Sequence, residues 1–469
     1  MLAVDNIFTV LEFPVSALLG LLFVLAVYLL HLHYADSRSI AILRGWKFAL
    51  IMLTLAAAQL ALEGIWGHPL HRSLPFAITV LLMQMNLLLA IFARLPRSAD
   101  ASPAAVPTTA FASYSDASPA AENHRSARKS SLPLRRFSFL ATHIGFFLVL
   151  WAGFWGAPDV VDCNLQVDRT HSTYIAYNAR GGVETLPFKL RLEDFRIDYY
   201  EDGMTPKQYT SMLEVTDAAR DGRKTSIPTS VNHPARYRRY YIYQEGYDRE
   251  NQAYTVLRAV RDPWLPLVYV GMILLLCGAS LMLAGRWKMK ILLPSAILLA
   301  LVFTVASIAR INFGALPPAL RSLWFVPHLL IYMLAYSIMA IAVILLIINC
   351  VRQKKPSAAS AAGPSLGDIA DRLMRTCSVL LLCGMLCGCF WAKKAWGDYW
   401  AWDPKECWAA VTWLITLIFI HIPSLNKNKI ISLSVAVLAF MALQLTWYGV
   451  NYLPSADRSM HTYNSNSEI

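Results

Sequence analysis

The sequence predicts a polytopic α-helical membrane protein with about ten transmembrane helices and one small extracytoplasmic β-rich domain. Three observations carry that fold class. Hydrophobic residues make up 56% of the 469, and the mean hydropathy is +0.43, above the usual share of a soluble chain. Apolar runs of bilayer-spanning length recur at about 14–32, 48–66, 75–93, 138–157, 264–284, 291–309, 325–349, 374–392, 408–422 and 430–450. A single long polar segment, 158–262, interrupts them.

Each run takes its orientation from the basic residues beside it. The N-terminus has neither a positive leader nor a small-residue cleavage site, so the first run is expected to be a retained span. Arg38, Arg44 and Lys47 mark the 33–47 loop as cytoplasmic, which leaves the 67–74 loop outside. Residues 1–95 thus form three N-terminal helices. Residues 96–137, rich in Ser, Ala and Pro with six basic residues from Arg97 to Arg136 and Arg94 just ahead of them, read as a disordered basic cytoplasmic linker. The run 138–157 leads out to the polar segment. There Phe188–Tyr200 and Arg238–Tyr243 alternate with strand period, and Gly181-Gly182 and Asp221-Gly222 mark turns. The expectation is a largely antiparallel β-domain over 158–262. Arg286, Lys288 and Lys290, then Arg352, Lys354 and Lys355, then Lys427 and Lys429 mark the inner loops that follow. Alternation places the 310–324 loop, residues 396–408 and the tail 451–469 outside.

Several function classes drop out. The net charge of +12 is spread over loops as an orientation signal, and no nucleic-acid-binding module is present. The eight cysteines lie mostly within apolar runs, without a C-x-x-C pair, so neither a disulfide framework nor a zinc or thiol-redox site is expected. No Ser-His-Asp, paired-carboxylate or phosphate-loop pattern appears.

The chemistry concentrates in Trp396-Gly-Asp-Tyr-Trp-Ala-Trp-Asp-Pro-Lys-Glu-Cys-Trp408, which carries five large aromatics. An aromatic belt is the plain alternative, but belts scatter their rings around helix ends. Here Trp396, Trp400, Trp402 and Trp408 cluster with Gly, Pro and charges, as a flat apolar ligand platform would. Two histidines, His328 and His461, fall on the same outer side. Two more, His143 and His421, fall near inner helix ends. Imidazole pairs beside an aromatic platform suit a planar macrocycle holding iron, with axial ligation at each end. The other seven histidines read as ordinary interfacial or surface residues. Asp403 is expected either to meet a carboxylate of the ligand through water or to orient the loop. Pro404 fixes the turn, and Lys405 is a candidate carboxylate partner.

These residues carry a family resemblance. The tryptophan loop with His328 and His461 resembles the WWD domain of the CcsA/ResC family over about 310–463. Thr142-His-Ile-Gly145, Leu186–Phe195, Val231-Asn-His-Pro234, Ile242-Tyr-Gln244 and Asp262-Pro-Trp264 resemble the CcsB/ResB family. The chain therefore resembles a CcsBA-type fusion, a System II cytochrome c synthase, with a ResB-like part at 138–284 and a CcsA-like part at 285–469. The resemblance implies an inner-membrane enzyme whose loop and β-domain face the periplasm. Haem b would be held by His143 and His421, then by His328 and His461 over the four tryptophans, with Asp403 and the outer histidines in the catalytic site. It implies attachment of haem through thioether bonds to the Cys-x-x-Cys-His motif of apocytochrome c. Implied partners are apocytochrome c, haem, the lipid bilayer and thiol-reducing pathway proteins. One competing reading is a haem transporter or chaperone that hands haem to a separate attachment protein. A b-type electron carrier would instead stack its histidine pairs across the bilayer.

Overall fold

The computed structural model describes residues 12–95, 119–179, 181–217, 219, 222–284, 316–352, 365–422 and 428–460. The expected span 291–309, the inner loop 285–290 and His461 lie outside the described residues. The long helices are α1 (Val15–Tyr34), α3 (Trp46–Trp66), α4 (Leu74–Phe92), α5 (Pro119–Trp155), α6 (Leu265–Ala284), α7 (Phe325–Val351), α8 (Leu366–Ala395), α9 (Pro404–His421) and α10 (Lys429–Trp447); a short α2 (Arg38–Leu43) follows α1. Eight of them are long and apolar enough to cross a membrane among the described residues. The protein is a multi-pass membrane protein.

Helix α9 is the exception. It carries Lys405 and Glu406 at its start, yet its body packs into the main core through Val411, Leu414 and Phe419. It begins at Pro404, four residues before the apolar run. Asp403 and Glu406 form a capping box there, and Pro404 occupies the first turn, where its missing N–H costs no bond. Helix α5 begins earlier than expected. It extends back to Pro119, so residues 119–137 are not disordered linker. That stretch is rich in helix formers (Ala120, Ala121, Glu122, Arg125, Ala127, Arg128), and apolar character starts only at Leu134. Residues 96–118 lie outside the described residues.

Between α5 and α6 lie β1 (Val161–Asp168), β2 (Thr173–Asn178), β3 (Val183–Tyr199), β4 (Pro206–Asp217), β5 (Arg223–Ser230), β6 (Ala235–Tyr237), β7 (Tyr240–Tyr247) and β8 (Tyr254–Arg261). They form one eight-stranded sheet, ordered β5-β4-β3-β2-β1-β8-β7-β6, with every pairing antiparallel. The long strand β3 (Val183–Tyr199) buries Leu186, Phe188, Leu190 and Leu192 on alternate positions. A register shift between Leu192 and Asp194 moves the buried series on to Phe195. Gly181 and Gly222, at φ +78° and +68°, take the turn conformations their dipeptides announce. Arg238 and Arg239 belong to the turn between β6 (Ala235–Tyr237) and β7 (Tyr240–Tyr247) rather than to a strand, and Arg238 has φ +51°.

The two helices that flank the sheet approach each other through glycine. A Cβ on Gly145 would lie 2.4 Å from the backbone nitrogen of Leu275, and one on Gly278 would lie 2.5 Å from that of Thr142. Small residues let helix backbones touch, which is how membrane helices gain packing where lipid removes the hydrophobic drive. This contact also sets His143, two residues from Gly145. Replacing Gly145 by Leu is therefore expected to force α5 and α6 apart at a cost of about 1–3 kcal/mol. A lower thermal midpoint in detergent and lower yield of monodisperse protein would report it; an unchanged midpoint would refute the close contact.

Candidate functional site

The aromatic loop lies between α8 and α9, at the end of the helices that carries the sheet. Its backbone is held from three directions. From the sheet, Arg258 on β8 (Tyr254–Arg261) donates to the Trp396 carbonyl at 2.6 Å and to Asp398 Oδ2 at 2.6 Å. The same guanidinium binds Asp162 on β1 (Val161–Asp168) through both oxygens, at 2.7 and 2.5 Å. Burial works against its charge, but the hydrogen bonds and fields of Asp162 and Asp398 outweigh that and hold its pKa above the ordinary value. Gly397 (φ +99°) lies under Tyr243 of β7, where a Cβ would sit 3.1 Å from the ring. From α8, the buried Lys393 donates to the Gly397 carbonyl at 2.7 Å.

From the N-terminal helices comes a contact that sequence reasoning missed. Glu63, near the end of α3, is 4% exposed and accepts from His71, through Nδ1 at 2.5 Å and the backbone N–H at 2.9 Å. The His71 ring lies flat on Trp402, with centroids 4.3 Å apart and planes 2° from parallel. Phe76 meets the same indole edge-on at 5.5 Å. Trp402 has φ +60°, which costs a bulky side chain about 1 kcal/mol or more and persists only under such restraint.

Asp403 caps α9. Its oxygens accept from Lys405 N at 2.8 Å, Ser459 Oγ at 3.1 Å and Met460 N at 2.7 Å. Glu406 completes the box by accepting from Ala401 N at 2.7 Å and Asp403 N at 3.2 Å. Asp403 is thus occupied as an orienting residue, and it ties the C-terminal tail to the loop at the residue before His461.

His328, in the first turn of α7, lies across from α8. Its Nδ1 is 2.8 Å from the Gly384 carbonyl, and its ring packs on Gly388. A carbonyl can only accept, so Nδ1 carries the proton and Nε2 keeps the lone pair, the tautomer an axial ligand requires. An aromatic series runs from His328 through Trp391 at 5.8 Å to Trp396 at a further 5.2 Å. Trp391, which donates to Ala319 O at 2.8 Å, did not figure among the sequence candidates. Trp400 meets Trp402 edge-on at 6.2 Å. Trp408 stands apart. It is buried in α9, against Gly64 of α3, where a Cβ would lie 2.8 Å from the indole.

At the opposite end of the helices a mostly apolar cavity of about 400 Å³ has both His143 and His421 in its wall. Each directs Nδ1 to the carbonyl four residues back, Phe139 and Leu417, at 2.8 Å. Phe139 stacks on His143 with centroids 3.7 Å apart. Nε2 is again the basic nitrogen. The volume falls within the usual range of small-molecule pockets.

Comparisons with known proteins match two successive parts of the chain. Residues 110–253 match the ResB-like family, and residues 265–456 match the family described as Cytochrome C assembly protein. The cytochrome c biogenesis protein CcsA of Guillardia theta is 32% identical over 174 residues, which cover 32% of this chain and 56% of that protein. CcsA of Chlamydomonas reinhardtii is 29% identical over 201 residues, 40% of this chain and 55% of that protein. CcsA of Lactuca sativa is 43% identical over 89 residues, 19% and 26%. The chain thus spans about half the length of the first two relatives, and about a quarter of the third. The two matched parts in this order support a CcsB/CcsA-type System II fusion, and the names indicate cytochrome c biogenesis.

Replacing Arg258 by Met would leave Asp162 and Asp398 without their shared cation. Both carboxylates are about a third exposed, so the cost is expected near the low end for such pairs, about 2 kcal/mol. The sheet should persist while the loop loosens, seen as faster proteolytic nicking near Trp396–Asp403. Cleavage rates equal to the parent protein's would refute the bridge.

Proposed function

We propose that this protein is a cytochrome c synthase of the haem lyase type, which moves haem b across the membrane and attaches it to apocytochrome c. The observation that carries the reading is the two-ended arrangement. One end pairs His143 with His421 in an apolar cavity. The other joins His328, a tryptophan loop and a tail that is pinned at Met460, next to His461, under one sheet. The 138–284 part supplies the sheet and the 285–469 part the loop. The sheet end faces the periplasm, across the inner membrane.

Haem is the cargo. It enters at the inner cavity, where imidazole nitrogens ligate iron and apolar side chains cover the ring. At the outer site His328 and His461 take the axial positions, while Trp396, Trp400 and Trp402 cover the macrocycle. Trp408 braces the platform from behind, and Asp403 fixes the loop. Each thiol of a Cys-x-x-Cys-His motif then adds across a vinyl group. The C–S bond forms at the inner vinyl carbon and the hydrogen ends on the outer one, so no net oxidation occurs. The substrate histidine replaces one axial ligand. The protein's part is positioning, which alone supplies a large share of a rate. Thiol-reducing proteins would keep the substrate cysteines as thiols.

A haem transporter or chaperone that hands haem to a separate attachment protein is the second reading. The sheet clamped on the tryptophan loop favours the synthase, because attachment needs loop and substrate surface held together. The test is co-expression with an apocytochrome c in a host lacking its own synthase. Covalent, haem-stained cytochrome c is expected, falling by about tenfold or more in His328→Ala. Bound haem without any covalent product would leave only the transporter.

A further inference from the structure

We propose that the N-terminal helices complete the inner cavity, and that Arg44 and Arg94 bind the two carboxylates of the tetrapyrrole there. This rests on the inner cavity being the haem site proposed above. Residues 12–95 lie outside both matched families, yet they supply much of the cavity wall. Arg44, Trp46 and Met52 come from the α2–α3 region, and Met83, Asn86 and Arg94 from α4 and its end.

The charge pattern selects the ligand. Four arginines, Arg44, Arg94, Arg372 and Arg375, line a cavity whose other walls are mainly apolar, and among the described residues no acidic side chain lines it. Arg375 is already engaged by Asp371 through two bonds of 2.9 and 3.0 Å. Among the described residues Arg44 and Arg372 have no carboxylate partner. Arg94 lies over the Phe139 ring at 3.7 Å, and that ring stacks on His143. One stack therefore aligns a cation with the imidazole. Unpaired cations beside a low-dielectric cavity favour a ligand that is apolar with anionic groups at one edge. The two basic Nε2 atoms on the same cavity favour a dicarboxylate porphyrin over an anionic lipid, which has no use for imidazole. Arg44 is anchored where α2 meets α3, and Asn86 of α4 ties that junction by donating to the Leu43 carbonyl at 2.6 Å. The α2–α3 junction and the end of α4 thus act as the carboxylate-binding wall.

The test uses the full-length protein carrying His328→Ala, so that iron ligation reports the inner site. It is titrated with haem and with haem dimethyl ester, following the Soret band. The parent is expected to bind the free acid about ten- to a hundredfold more tightly than the ester. Arg44→Gln with Arg94→Gln should abolish that preference without weakening ester binding. Arg44→Lys with Arg94→Lys should restore part of it, which separates charge recognition from misfolding. Equal affinity for acid and ester in the parent, or a preference that survives the Gln pair, would overturn the inference and leave the cavity reading intact. If His143→Ala and His421→Ala leave the Soret titration unchanged, the cavity is not the haem site, and both readings fall. Competition of the signal by vesicles of anionic phospholipid, with no porphyrin preference, would assign the arginines to lipid and overturn it as well.

Discussion

One guanidinium holds the sheet end of the molecule together. Arg258 reaches from the centre of the sheet to Asp162 on the neighbouring strand, to Asp398 and to the Trp396 carbonyl. The planar fork suits that task, because it can meet several acceptors at fixed angles where an ammonium would serve only as a point charge. The loop it grips is not self-supporting. Gly397 and Trp402 both sit at positive φ, and a run of tryptophans gains nothing from facing water. Seven of the eight strands and the tryptophan loop fall in separately matched parts of the chain, and Arg258, in the stretch between the two matches, ties the sheet to the loop.

The N-terminal helices contribute at both ends. At the sheet end, Glu63 fixes His71 on the face of Trp402, Gly64 admits Trp408, and the Gly64 carbonyl accepts from Ser455 Oγ at 2.6 Å. The tail is therefore fastened twice, at Ser455 and at Met460, before it reaches His461. At the opposite end the same helices close the cavity that contains His143 and His421. A segment outside both families is thus built into both sites rather than appended to them.

Much of this was legible in residues alone. Length and hydropathy located the described spans to within a few residues, and only α8 and the start of α5 run well beyond their apolar runs. The Phe188–Leu192 alternation and the two glycine turns marked the sheet. His143 and His421 share a cavity, as their common position near inner helix ends suggested. What sequence could not show were contacts between distant positions. Arg258 and Asp398 are 140 residues apart, and nothing local distinguishes Arg258 from its neighbours on β8. Trp408 belongs to the tryptophan cluster by sequence, but one helical turn carries it into the core against Gly64. For Asp403 the sequence left open a ligand contact through water or an orienting role; its place before Pro404 and three residues ahead of Glu406 was the sign of a cap. For His71 the available sign was Glu63, a carboxylate inside an otherwise apolar run, which is costly unless it has a partner.

The central claim is that His328 and His461 clasp one haem over the tryptophan loop. The most direct measurement is the ferric electron paramagnetic resonance spectrum of haem-loaded full-length protein in which His143→Ala has disabled the inner site. The account predicts a low-spin signal of two-imidazole ligation that turns high-spin when either His328 or His461 is replaced by Ala. A low-spin signal that survives both replacements would contradict it.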